Sequence, residues 1–169
     1  KNLFNPNDKF KASYRYQYNS ILEKARVKPE EFQAILFFPF INTCGDKLYF
    51  DKSKAGFDEA MKCSYLTGIP LIQSYSPRLS FTHALSSIQM LADSAIRKSR
   101  LDDMNDKPLL LVCANEELTE QEQWLKSKSK IFYRQKNFCL ASLPVDVFRK
   151  AHHNWKKHAT DLSKKIHCN

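Results

Sequence analysis

Five cysteines and five histidines are the side chains of this chain best suited to chemistry. Cys44 is the leading candidate nucleophile. It stands beside Gly45 in a polar turn that follows the apolar run 34–41. A thiolate there needs a neighbouring base such as His83, or a nearby cation, to lower its pKa. Arg78, five residues before His83, and Asn115 and Glu116, which follow the leucine-rich run 108–114, complete a candidate rim. In a parallel α/β sheet, ligands bind beyond the carboxyl ends of the strands. A small hydrolase or transferase would use such a rim. The plainer alternatives are a structural thiol at Cys44 and an exposed His83 on a helix capped by Ser80.

Several common chemistries find no support. The chain has only three glycines. It contains no phosphate loop, no dinucleotide fingerprint after a strand and no serine elbow. No H-E-x-x-H and no Cys/His spacing of a zinc site occurs, so neither metal nor cofactor is expected. Of the histidines, His152, His153, His158 and His167 gather near the end, and no two are four apart. The cysteines (Cys44, Cys63, Cys113, Cys139 and Cys168) form no C-x-x-C pair, and their odd number leaves at least one free. That usage fits reduced thiols and an intracellular setting, cytoplasmic or nuclear. No apolar run is long enough for a membrane span, and no partner membrane is expected.

The charge of +9 is unevenly placed. Residues 1–60 carry +2, residues 61–120 carry −1, and residues 121–169 carry +8. Much of this excess falls on one final helix. Phe148, Ala151, Trp155, Ala159, Leu162 and Ile166 recur at steps of three and four and define an apolar stripe. Trp155 on that stripe is expected to anchor the helix in the core. The opposite face collects Arg149, Lys150, His153, Lys156, Lys157 and Lys164. Such a face could neutralise phosphates or bind an acidic protein, or simply keep the domain soluble.

The elements that position these residues follow from local signals. Phe10, Tyr14, Tyr18, Ile21 and Ala25 trace one helical face within an N-terminal helical segment, 1–32, stopped at Val27-Lys28-Pro29. Residues 33–143 form a βα core. Its apolar runs 34–41, 69–75 and 108–114 read as strands. Residues 48–50 suggest a second strand of an N-terminal hairpin. A helix over 55–67 ends at Gly68, and another begins at Ser80 with Phe81, Ala84, Leu85 and Ile88 on its apolar face. Thr119 and Glu122 have capping-box spacing, and strand material at 131–143 is split at 135–137. Residues 144–167 are the basic amphipathic helix.

At 169 residues the chain fits one domain. Its start at Lys1 reads as part of a longer protein. The expected fold class is α/β: a three-layer, mainly parallel sheet of about four to five strands flanked by helices. The leading functional expectation is a non-catalytic accessory domain that engages nucleic acid or another acidic partner through the C-terminal helix, alongside other domains of its parent. The alternatives are the small enzyme above and a protein-interaction module derived from a degenerate enzyme fold.

Overall fold

A computed structural model describes residues 20–44, 48–50, 54–73, 80–135 and 138–167, without the side chains of 42–44, 48–50, 54–57 and 165–167. Phe10, Tyr14 and Tyr18 lie outside these residues, as do Arg78 and Cys168.

Residues 20–24 are helical and end as expected before Pro29. Arg26 takes a left-handed conformation at φ 57°, and the Val27 amide reaches back to the Leu22 carbonyl, closing the last turn. Strand β1, Ala34–Phe38, is buried along its whole length. The chain leaves it through Pro39, which has no amide to offer a ladder. A separate two-stranded antiparallel ribbon follows, β2 (Asn42–Cys44) and β3 (Leu48–Phe50). The hairpin thus pairs β3 with β2, not with β1. Helix α1, Lys54–Thr67, ends at Gly68, whose φ of 75° suits a residue without a Cβ.

The segment after Gly68 was expected to be a strand, but among the described residues it makes a single parallel bridge, Leu71 to Ile35. Pro70 accepts from the Ile35 amide, and Ile72 donates to the Ile35 carbonyl. The next outward-facing group of β1 is Phe37. The Gln73 side chain serves it: the Phe37 amide donates to Gln73 Oε1 at 3.0 Å and Gln73 Nε2 donates to the Phe37 carbonyl. A side-chain amide thus takes the place of the next strand residue.

Helix α2, Phe81–Ile88, starts at Ser80, whose hydroxyl accepts from the His83 amide. Its buried face differs from the expected one. Phe81 and Leu85 are exposed, while Ala84 and Ser87 are buried. Ser87 Oγ donates to the Ile72 and His83 carbonyls, so a satisfied hydroxyl can face the sheet. A short 3-10 turn, Ser99–Asp103, leads toward β4, Leu109–Ala114. Helix α3, Glu120–Ser127, carries the Thr119/Glu122 capping box. Strands β5 (Lys130–Arg134) and β6 (Phe138–Leu143) precede helix α4, Asp146–His167.

The four-stranded sheet has the order β1-β4-β6-β5. Only β1 and β4 are parallel neighbours; β4–β6 and β6–β5 are antiparallel. The expectation of a mainly parallel sheet is therefore corrected to a mixed one. The short link 135–137 accounts for the β5–β6 pairing, since so short a connection can join only antiparallel strands. β6 then inserts between β4 and β5 and runs against both. Side chains of α1 and residues 20–24 cover one face, packing Ile21, Ala60, Cys63 and Leu66 on Ile35, Phe37, Leu110 and Val112. Met90, Leu125 and Phe148 cover the other, over Leu36, Leu111, Cys113 and Cys139. No helix among the described residues is long and apolar enough to cross a membrane.

Candidate functional sites

Among the described residues, helix α4 is attached to the body near its start. Val145 and Phe148 are buried, and Ala151 is half-buried. Arg149 donates to the Met104 carbonyl at 3.0 Å and pairs with Asp106 at 2.5 Å. Lys150 pairs with Asp146 at 3.3 Å. The His152 ring meets the Ser94 carbonyl at 2.7 Å. Beyond that point all of residues 153–158 are exposed. A helix of 22 residues spans about 33 Å at 1.5 Å per residue. The six residues of β6 cover only about 20 Å. Residues 153–158 thus stand clear of the described core, as an overhang.

Trp155 shows the result. Expected as a core anchor, it is 42% exposed, stacked on the His152 ring at 6.4 Å between centroids. Leu162 is 46% exposed. Of the six expected binding residues, Arg149 and Lys150 are engaged within the chain. His153, Lys156, Lys157 and Lys164 stand exposed on the overhang, and their side chains make no ion pair among the described residues.

The rim residues are more dispersed. Arg78 lies outside the described residues, and the Cys44 side chain is not described. The backbone of β2, which carries Cys44, packs beside α2, which carries His83. His83 Nε2 faces Arg100 Nη2 at 2.8 Å. Arginine can only donate, so the ring accepts through Nε2. Desolvation and the Arg100 charge both hold the imidazole below its ordinary value of 6.5. The native state then binds this proton less readily than the unfolded chain. The associated stability is present above pH 6.5 and is lost as pH falls through the lowered folded value. We expect the His83 ring resonances to titrate below 6.5 in an NMR series, and Arg100→Met to bring them part of the way back. A titration at 6.5 or above would refute this.

Asn115 and Glu116 follow β4 but line different hollows. Glu116 borders a shallow pocket of about 460 Å³ with Leu118, Gln123, Lys126 and Ile131. Asn115 borders a smaller cavity of about 140 Å³ with Cys113, Cys139, Lys126, Arg134 and Phe138. This second group escapes sequence reading, apart from Asn115. Cys113 and Cys139 face each other across β4 and β6. The interaction with Cys139, together with burial, raises the Cys113 thiol; the interaction with Cys113, helped by Lys126 and Arg134, lowers Cys139 against the opposing effect of burial. The only local signal is that each cysteine lies in an apolar strand. Their meeting depends on the antiparallel placement of β6. Among the described residues, no cluster of three or more His, Cys, Asp or Glu could hold a metal ion.

No family model, no curated protein and no solved structure matches this chain.

Proposed function

We propose that this chain is a non-catalytic binding domain that engages nucleic acid, in single-stranded form, through the overhanging half of α4. One observation carries the reading: an exposed Trp155 lies among exposed lysines on a helix that has left the body of the fold. An exposed indole offers a platform on which a base can stack, worth about 1–3 kcal/mol per base. Lys156, Lys157 and Lys164 supply cations for the phosphates. Arg149 and Asp106 fix the root of the helix, so the presenting surface does not have to be ordered on binding.

Titration with a fluorescent single-stranded oligonucleotide tests this. With three lysines neutralising phosphates, affinity should fall roughly 20-fold between 50 and 200 mM salt. Trp155→Ala should weaken binding about 5- to 150-fold by loss of stacking. Lys156→Glu with Lys157→Glu and Lys164→Glu should abolish binding while the circular dichroism spectrum stays unchanged. Binding that ignores these substitutions, or no binding at low salt, would refute the nucleic-acid reading.

Leu162 favours a second reading. Its exposure, in line with Trp155 and the half-buried Ala159, suits an acidic protein with an apolar groove, a common way of receiving an amphipathic helix. In that case Leu162→Asp would disrupt the complex, whereas oligonucleotide binding would tolerate it.

A further inference from the structure

We propose that Cys113 and Cys139 form a peroxide-responsive dithiol, in which Cys139 is oxidised first by a small hydroperoxide and Cys113 then closes a cross-strand disulfide. The register makes them direct partners on neighbouring antiparallel strands, so both side chains stand on one face of the sheet. Directly opposed residues have Cβ atoms about 4.5–5.5 Å apart, so closing a disulfide, whose Cβ atoms lie about 3.5–4.5 Å apart, draws the two side chains slightly closer. Their Cα separations, about 4.5–5.5 Å, fall within the range that a disulfide spans.

The surroundings distinguish this pair from an inert buried thiol. Cys139 is only 5% exposed, but it borders the 140 Å³ cavity, whose lining also includes the exposed residues Asn115, Arg134 and Gln135. Lys126 and Arg134 both favour negative charge on its sulfur. Cys63 supplies the contrast within the same chain. It is fully buried, lies beside neither of these hollows, and burial pushes its thiol up to about 12. The cavity volume selects the oxidant. A drug-sized ligand requires about 300–1,000 Å³, so a bulky organic disulfide does not fit. Each water occupies about 30 Å³, and hydrogen peroxide, with two oxygens, fits easily.

The chemistry balances in two steps. The Cys139 thiolate attacks one peroxide oxygen, the O–O bond breaks, and the departing hydroxide takes up the proton that Cys139 released. This leaves a sulfenic acid and one water. Cys113 sulfur then attacks Cys139 sulfur. An S–S bond forms, and the sulfenic hydroxyl leaves with the Cys113 proton as a second water. Two thiols are oxidised and one peroxide is reduced.

The whole chain should be treated with hydrogen peroxide at neutral pH, alkylated and mapped as unreduced peptides. The expected product links the peptides of Cys113 and Cys139 and is lighter by two hydrogens. In Cys113→Ser, dimedone should label Cys139 well before Cys63. Lys126→Met should slow disulfide formation several-fold. Oxidation of Cys63 at the same rate as the pair, or an unlinked Cys113 and Cys139 in the wild-type map, would overturn the proposal. The wild-type map does not depend on any variant folding.

Discussion

Gln73→Ala is expected to cost about 3 kcal/mol of stability, although it removes a polar side chain from the interior. Gln73 is 2% exposed and packs beside β1, itself buried throughout. Its amide accepts from the Phe37 amide and donates to the Phe37 carbonyl. Alanine would leave both backbone groups buried without partners, and each such group costs roughly 1–3 kcal/mol. Removing the glutamine amide itself relieves part of that loss, which is why the net figure lies below the sum. Gln73→Asn is too short to reach both groups and should behave similarly. Urea denaturation gives the stability, and hydrogen exchange adds a local check. The Phe37 amide should be strongly protected in the wild type and should exchange far faster in the variant. A loss below about 1 kcal/mol would mean that water or a shift of β1 can serve Phe37.

Glu122→Ala should produce a loss of about 2–4 kcal/mol, from two separable sources. Glu122 is 2% exposed. Its Oε2 accepts from the Thr119 amide at 2.7 Å and from the Thr119 hydroxyl at 2.9 Å, completing the capping box of α3. Losing a cap costs about 1 kcal/mol. Its Oε1 accepts from the Phe40 amide at 2.6 Å, just beyond β1. Without the carboxylate that buried amide loses its partner, at roughly 1–3 kcal/mol more. Thr119→Ala tests the first source alone, since it removes the hydroxyl of the cap but leaves Glu122 on Phe40. It should cost about 1 kcal/mol. For a domain of this size the Glu122→Ala loss corresponds to a fall in Tm of roughly 5–15 °C. Equal effects of the two substitutions would show that the Phe40 contact contributes nothing.

These two residues also show how far the sequence could be read. The Thr-x-x-Glu spacing identified the start of α3, because a cap depends on residues three apart. The same spacing says nothing of Phe40, 82 positions away from Glu122. Gln73 is harder still. The apolar run 69–75 reads as a strand, yet its described part, residues 69–73, contributes a single bridge and then a side chain that imitates one. Composition distinguishes a chain that can lie extended in a core from one that cannot. It does not say how many of its residues will find a ladder.

What the sequence determined by itself about this protein is local or additive. It includes the strands within the apolar runs 34–41 and 108–114, the stops at Pro29 and Gly68, the Ser80 and Thr119 caps, the period of the last helix and the crowding of positive charge into residues 121–169. Each rests on neighbours within a few positions or on a simple count. Tertiary structure decided the rest. It made the sheet mixed, by seating β6 antiparallel between β4 and β5. It set Cys113 opposite Cys139, 26 positions apart, with Lys126 and Arg134 beside them. It also exposed Trp155. The stripe 148, 151, 155, 159 and 162 is a true helical face, but a stripe specifies only which residues can be buried together. Whether they are buried depends on what the rest of the fold brings against them, and Trp155 and Leu162 remain exposed.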